Sequence, residues 1–157
     1  MRFGPLHEWG YRAFFSGIAG NKAGVAILFN NNFAYNVLRQ TCDKEGRYII
    51  IDLEVGELIL TICNIYAPNK DDTFFFQNVS EQMLMFRCEE FILGGDFNLV
   101  MDVTKDKRGG KATMHRNSLK MIQNIRDNLD LTDIWRDLTQ TGEGTHGDRI
   151  SLKYIVG

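Results

Sequence analysis

The sequence predicts an α/β or α+β domain in which helices cover stacked β-sheets. Short apolar segments rich in β-branched residues alternate with two longer segments that have the periodicity of amphipathic helices. A Val-Gly-Glu turn joins two of the apolar segments, which is typical of a β-hairpin. The 157 residues suit one domain, and a hydrophobic content of 44% is enough to build a core.

Three apolar segments in the first half of the chain predict buried strands. They run from Ala23 to Phe29, from Tyr48 to Leu53 and from Leu58 to Tyr66. Residues 55–57 form the turn between the last two, so we expect these two strands to pair antiparallel. Both are apolar at nearly every position, which indicates that both of their faces are covered.

The second half of the chain predicts two helices and two further strands. The first helix begins at Thr73, after an Asp-Asp N-cap, and continues to about Glu90. The second runs from Thr113 to Leu129, and a strand from Phe91 to Leu93 lies between the two helices. A short helical turn is expected at 133–138 and a last strand at 150–156. The helices' core-facing residues are predicted to be Phe75, Val79, Met83 and Phe86 in the first, and Leu119, Ile122, Ile125 and Leu129 in the second.

The charge balance limits the kinds of function that are open to this chain. Its formal net charge is −2, whereas a free-standing DNA-binding module is usually basic. The charge balance therefore argues against DNA affinity through charge alone, but it allows an enzyme whose carboxylates hold a cation. It shows no signal peptide, no apolar run of roughly 18 residues and no paired cysteine motif. We therefore expect an intracellular protein, nuclear or cytoplasmic, that is not secreted and has no membrane partner.

The run Gly94-Gly95-Asp96-Phe97-Asn98 follows a predicted buried strand and carries candidate catalytic groups. The glycines allow a sharp turn and a close approach of substrate, while Phe97 is expected to anchor the turn. Asp96 offers a carboxylate for a metal ion or a water, and Asn98 offers an amide that can donate to a phosphate oxygen. A strand-ending Asx turn is the alternative interpretation, because Asp and Asn favour such turns.

A second run, Asn64-Ile65-Tyr66-Ala67-Pro68-Asn69, also lies at a predicted strand end. Tyr66 and Asn69 are expected on the same rim as Asp96, where a tyrosine hydroxyl can hydrogen-bond a phosphate. The alternative is a tyrosine that caps the hydrophobic core.

Together the IYAPN and GDFN motifs resemble the endonuclease/exonuclease/phosphatase superfamily. Within it, the chain is most similar to the apurinic/apyrimidinic-endonuclease-like domain of LINE-type non-LTR retrotransposons. The resemblance extends from about Trp9 to Gly157. Further matching segments are Trp9-Gly10, Phe15-Ser16-Gly17, Ala23 to Phe29, and Leu129 to Arg136.

The resemblance implies a four-layer α/β/β/α sandwich, of which residues 1–157 form one incomplete domain. It implies that Tyr66 contacts the scissile phosphate, that Asp96 orients or deprotonates the attacking water, and that Asn98 supports both. Asn69 and His146 are the implied substrate-binding residues. The implied cofactor is Mg²⁺, with Asp96 as a ligand, and the implied substrate is DNA, which is nicked to prime a reverse transcriptase domain of the parent element.

The sequence also departs from the family pattern. A glutamate in a QETH-like strand, which is the main metal ligand in the family, has no counterpart, and neither does the SDH run with its histidine base. The family's SRIDYIL-like strand aligns with Ser151 to Gly157, so that its aspartate becomes Lys153 or Ser151. Asp148 is a candidate replacement. We therefore expect a fragment that has little or no nuclease activity by itself.

Three alternatives remain open from the sequence. The first is a monomeric part of a retroelement endonuclease. The second is a degenerate, non-catalytic remnant with at most weak nucleic-acid binding. The third is a phosphatase or phosphodiesterase of the same superfamily. The basic loop at residues 105–111 is either solvated or in contact with the DNA backbone.

Overall fold

A computed structural model describes residues 11–17, 24–86, 89–99, 115–134 and 153–156. These residues form two β-sheets and two helices. The smaller sheet pairs β1 (Tyr11–Gly17) antiparallel with β2 (Gly24–Asn30). Three strands in the described ranges were not expected from the sequence, namely β1, a strand at Asn36–Cys42 and the two-residue strand Thr132–Asp133.

The larger sheet has six strands, which are β3 (Asn36–Cys42), β4 (Tyr48–Val55), β5 (Leu58–Tyr66), β6 (Glu90–Asp96), β7 (Thr132–Asp133) and β8 (Lys153–Val156). Their order in the sheet is β3-β4-β5-β6-β8-β7. The first three strands form an antiparallel meander, and the predicted β4–β5 hairpin is confirmed. From β5 onward the neighbouring strands pair parallel.

Both helices pack on the same face of the larger sheet. Helix α1 (Thr73–Met83) begins with the predicted cap, because the Asp72 carboxylate accepts a hydrogen bond of 3.1 Å from the backbone N–H of Phe75. The predicted continuation to Glu90 is wrong. The chain leaves the helix after Met83 through tight turns, and these turns bring Phe86 back into the core. Helix α2 (Arg116–Asn128) lies within its predicted range.

Strand β4 lies between two hydrophobic cores, one on each face of the larger sheet. Successive side chains point to opposite faces, so Ile50 faces the helices while Ile49 and Ile51 face the smaller sheet. The described residues thus form three layers, a sheet, a sheet and a helix layer, in the order that the predicted sandwich requires. No helix among the described residues is long and apolar enough to cross a membrane.

The prediction of a short helical turn that begins at Asp133 is wrong for this first residue. Asp133 lies in β7 and pairs with Ile155, and helical backbone begins only at Ile134. The strand pairing therefore takes precedence over the local helical preference at this position. The rest of the predicted turn lies outside the described residues.

Candidate active site

The predicted catalytic residues meet where β5 and β6 end side by side. The two strands are parallel, and Tyr66, the last residue of β5, lies opposite Asp96, the last residue of β6. The backbone N–H of Ala67 continues this pairing by donating to the carbonyl of Asp96 over 2.8 Å. Parallel strands expose their carboxyl ends at one edge of a sheet, which is a common location for binding sites in α/β folds.

Gly95 allows β5 and β6 to come this close. A Cβ atom at this position would lie 2.0 Å from the carbonyl oxygen of Ile65, and the Gly95 φ angle of 127° belongs to a region that other residues avoid. The sequence-based expectation that the chain turns at the two glycines is wrong. The strand continues through Gly94 and Gly95 to Asp96, and the glycine serves close approach of the backbones.

Asn98 holds the turn that follows β6. Its backbone has a φ of 49°, and its N–H donates to Oδ1 of Asp96 over 3.0 Å, so the Asx turn considered as an alternative is present. The Asn98 side chain donates from Nδ2 to the carbonyl of Ala67 over 2.7 Å. Phe97 is buried in the core, as predicted. Asn98 therefore connects the ends of both strands.

The turn leaves reactive groups accessible to solvent. The Asp96 side chain is exposed, and the described residues offer a hydrogen-bond partner to one of its oxygens, Oδ1. Tyr66 is 37% exposed although it ends a largely buried strand. A carboxylate oxygen and a phenol on adjacent strand ends can bind a water and a phosphate side by side.

The smaller sheet is attached to the same edge of the larger one. Asn64, two residues before Tyr66, donates from Nδ2 to the carbonyl of Ala26 in β2 over 2.8 Å. Ser16 in β1 donates from its hydroxyl to the carbonyl of Asp43 over 3.2 Å. Asn64 lies near the end of β5, and Asp43 directly follows β3. The two hydrogen bonds therefore fix the smaller sheet beside the candidate site.

Arg47 also contacts the site, and the sequence analysis did not identify it. Its carbonyl accepts a hydrogen bond of 2.7 Å from the Tyr66 backbone N–H, and its guanidinium donates from Nη1 to the Tyr66 carbonyl over 3.4 Å. The signal was available, because Arg47 directly precedes β4, whose first residues pair with the last residues of β5.

The segment after Asn69 is fastened to helix α2. Asp71 accepts hydrogen bonds of 2.8 Å from both the backbone N–H and the hydroxyl of Ser118, and one of 2.9 Å from the Asn117 side chain. These hydrogen bonds lower the pKa of the Asp71 carboxyl below its usual value, and those from Ser118 have the largest effect. Asp71 thus supplies an acceptor to the beginning of α2 from another part of the chain.

The described residues at this edge supply only part of the ligands that a magnesium ion requires. Asp96 supplies a single carboxylate, and no group of three or more His, Cys, Asp or Glu residues in the described ranges could hold a metal ion. Magnesium requires six oxygen ligands in near-octahedral order, commonly one or two carboxylates together with waters and substrate phosphates. Asp96 is therefore at most one ligand of such a site.

The structure brings some of the predicted residues together and leaves others unassigned. Asn69 is exposed beyond the buried Pro68, and no described contact joins it to Asp96 or Asn98. Lys153 pairs with Phe91, at the opposite end of β6 from Asp96. His146, Asp148 and the loop 105–111 lie outside the described residues.

The architecture corresponds to that of a retrotransposon endonuclease domain. The solved endonuclease domain of TRAS1, a telomere-specific non-LTR retrotransposon, superposes with a TM-score of 0.54 at 14% sequence identity. The match covers 76% of this chain and 52% of that domain structure. The predicted α+β fold class and the predicted resemblance to such domains are thereby confirmed.

A transposon protein of Xenopus laevis is also similar in sequence. This protein, described as the Transposon TX1 uncharacterized 149 kDa protein, is 29% identical over 133 residues. The alignment covers 83% of this chain but only 10% of the Xenopus protein, so the chain spans about a tenth of that relative's length. No protein-family profile matches the sequence.

Proposed function

We propose that this chain is part of a metal-dependent DNA endonuclease domain of the retroelement type, and that its β5–β6 edge receives the scissile phosphate. One observation carries the proposal: Tyr66 and Asp96 are register partners at the ends of parallel strands, and Asn98 is bonded to both strand ends. The fold of the TRAS1 domain and the similarity to a transposon protein support it.

In the proposed reaction the three side chains have distinct tasks. The Tyr66 hydroxyl donates a hydrogen bond to a non-bridging phosphate oxygen. Asp96 orients the attacking water and accepts its proton through the carboxylate oxygen that the Asx turn does not use. As the water oxygen bonds to phosphorus, the bond from phosphorus to the leaving oxygen breaks, and that oxygen takes a proton from solvent. Asn98 keeps that carboxylate at the edge, and the second N–H of its amide remains available to the phosphate. Mg²⁺ would supply charge neutralisation, but the described residues alone do not hold it.

Asp96→Asn is expected to tighten DNA binding in the absence of divalent cations. If a phosphate lies near Asp96, the carboxylate repels it, with an energy of about 1 kcal/mol for charges roughly 4 Å apart in water. Removing the charge should therefore lower the Kd for a short labelled duplex by about fivefold in EDTA and low salt. Fluorescence anisotropy of the duplex measures this change.

Asp130→Asn is the matched control for this experiment. Asp130 is also exposed, lies beyond the far end of α2, and has a φ of 53°, which asparagine tolerates as well. Its substitution removes the same charge and should change the Kd by less than about a factor of two. Equal affinities of Asp96→Asn and the unsubstituted chain would contradict the placement of a phosphate at this edge.

The 157-residue chain by itself is expected to nick DNA little or not at all. The reason is that the described residues offer Asp96 as one carboxylate ligand, while the glutamate that is the main metal ligand of the family has no counterpart in the sequence. A supercoiled plasmid incubated with the chain and Mg²⁺ should remain supercoiled, as resolved on an agarose gel. Nicking that disappears in Asp96→Ala would show that the chain is a complete enzyme, whereas binding without nicking would match a non-catalytic remnant.

In a longer parent protein, we propose that the nicked strand primes a reverse transcriptase domain. The similarity to a transposon protein supports this assignment. The DNA substrate and the reverse transcriptase partner belong to that proposal.

A further inference from the structure

Arg47 contacts Tyr66, the residue that is predicted to contact the phosphate, through both its backbone and its side chain. Its carbonyl and its Nη1 bond the two backbone groups of Tyr66, and its guanidinium carbon lies 5.8 Å from the centroid of the Tyr66 ring. The guanidinium is therefore placed beside the phenol, within the range of a cation–π contact.

Within the described part of the chain, the guanidinium uses only some of its hydrogen-bond donors. Apart from Tyr66, its side-chain contact there is an ion pair of 3.5 Å from Nε to Glu45, whose own side chain is 75% exposed. Ion pairs of this kind are weak and exchange readily with other anions. The Arg47 side chain is 28% exposed, and its backbone N–H is fixed by Asp43 over 3.0 Å. The backbone of Arg47 is therefore held in place, and its side chain is partly accessible to solvent.

The charges at this edge favour a cation for DNA binding. Asp96, Glu45 and Asp43 are acidic, Lys44 is basic and exposed in the turn before β4, and the whole chain has a net charge of −2. A DNA backbone that approaches Tyr66 therefore meets three carboxylates, whose charge Arg47 and Lys44 offset in part. Guanidinium is well suited to this task, because its planar fork matches the oxygens of a phosphate.

We propose that Arg47 is a substrate-binding residue that contacts a backbone phosphate of the DNA strand next to Tyr66. This assignment rests on the proposed function. The two side chains would share one phosphate or two consecutive ones, with Arg47 neutralising charge and Tyr66 donating a hydrogen bond.

The test compares the DNA affinity of variants of the full 157-residue chain in EDTA over a series of salt concentrations. Arg47→Gln removes the charge but keeps an amide that can donate to the Tyr66 carbonyl. We expect it to weaken binding about three- to tenfold at 0.1 M salt, and to reduce the slope of log K against log salt by about one. Arg47→Lys should keep the slope and lose part of the affinity, because lysine lacks the fork.

Arg126→Gln is the matched control, since Arg126 lies in the last turn of α2 and pairs with its neighbour Asp127. It should leave both the Kd and the slope unchanged. Thermal melting of every variant separates loss of binding from loss of the fold, and Arg47 variants that do not fold would assign the residue a structural role only.

Two negative results have different meanings. If the unsubstituted chain does not bind the duplex at low salt, the proposed function fails, and the role of Arg47 fails with it. If the unsubstituted chain binds and Arg47→Gln has the same Kd and slope, the proposed function stands and the assignment of Arg47 is wrong.

Discussion

Gly95→Ala is expected to destabilise the domain by at least about 3 kcal/mol, or to prevent folding. The added Cβ would lie 2.0 Å from the carbonyl oxygen of Ile65 and 2.7 Å from its nitrogen. Both atoms belong to the backbone of β5, so no side-chain rotation can relieve the overlap. The strands would have to separate at the edge that carries Asp96. Urea unfolding followed by circular dichroism measures the loss.

Gly56→Ala distinguishes the steric effect from the cost of the backbone conformation. Gly56 also has a positive φ, 62°, but a Cβ there meets no atom within 4 Å. Its substitution should cost roughly 1–2 kcal/mol, the strain of the left-handed conformation alone. Equal losses for the two variants would contradict the close approach of β5 and β6 at Gly95.

Phe76→Ala is the second substitution with a large expected effect. Phe76 is 1% exposed and packs from α1 into the core beneath the helices, where its ring lies 5.2 Å from that of Phe75. Truncating a fully buried phenylalanine costs about 3–5 kcal/mol, because apolar contacts are lost and a cavity remains. Small domains are stable by only about 5–15 kcal/mol, so most of the stability should disappear.

Phe74→Ala provides the control on the same helix. Phe74 is 76% exposed, so its truncation leaves no cavity in the core and should change the free energy of unfolding by less than about 0.5 kcal/mol. A loss at Phe74 comparable to that at Phe76 would mean that α1 presents a different face to the sheet.

The sequence predicted the buried elements well because burial leaves an apolar pattern, either periodic along a helix or continuous along a strand that is covered on both faces. The hairpin β4–β5 was predicted because its strands are apolar on both faces, and both faces are covered. Strand β3 was missed for the opposite reason. It lies at the edge of its sheet with almost every residue exposed, so its sequence carries no alternation to detect.

The sequence predicted that Tyr66 and Asp96 lie on one rim at two strand ends, and the structure makes them register partners there. The roles of Tyr66, Asp96 and Asn98 stay predictions. The motifs did not show that Gly95 lies within the strand. Glycine is required at position 95 because the backbone of Ile65, which is distant in sequence, lies too close for a Cβ atom. Arg47 could have been identified from the predicted hairpin, which brings the residue before β4 beside the end of β5.

The central claim is that the edge formed by Tyr66, Asp96 and Asn98 receives a DNA phosphate. The most direct measurement is the ratio of the Kd of the unsubstituted chain to that of Asp96→Asn, determined in EDTA at increasing salt. We predict a ratio of about five at low salt that falls toward one as salt screens the repulsion. A ratio of one at every salt concentration, or an equal ratio for Asp130→Asn, would contradict the claim.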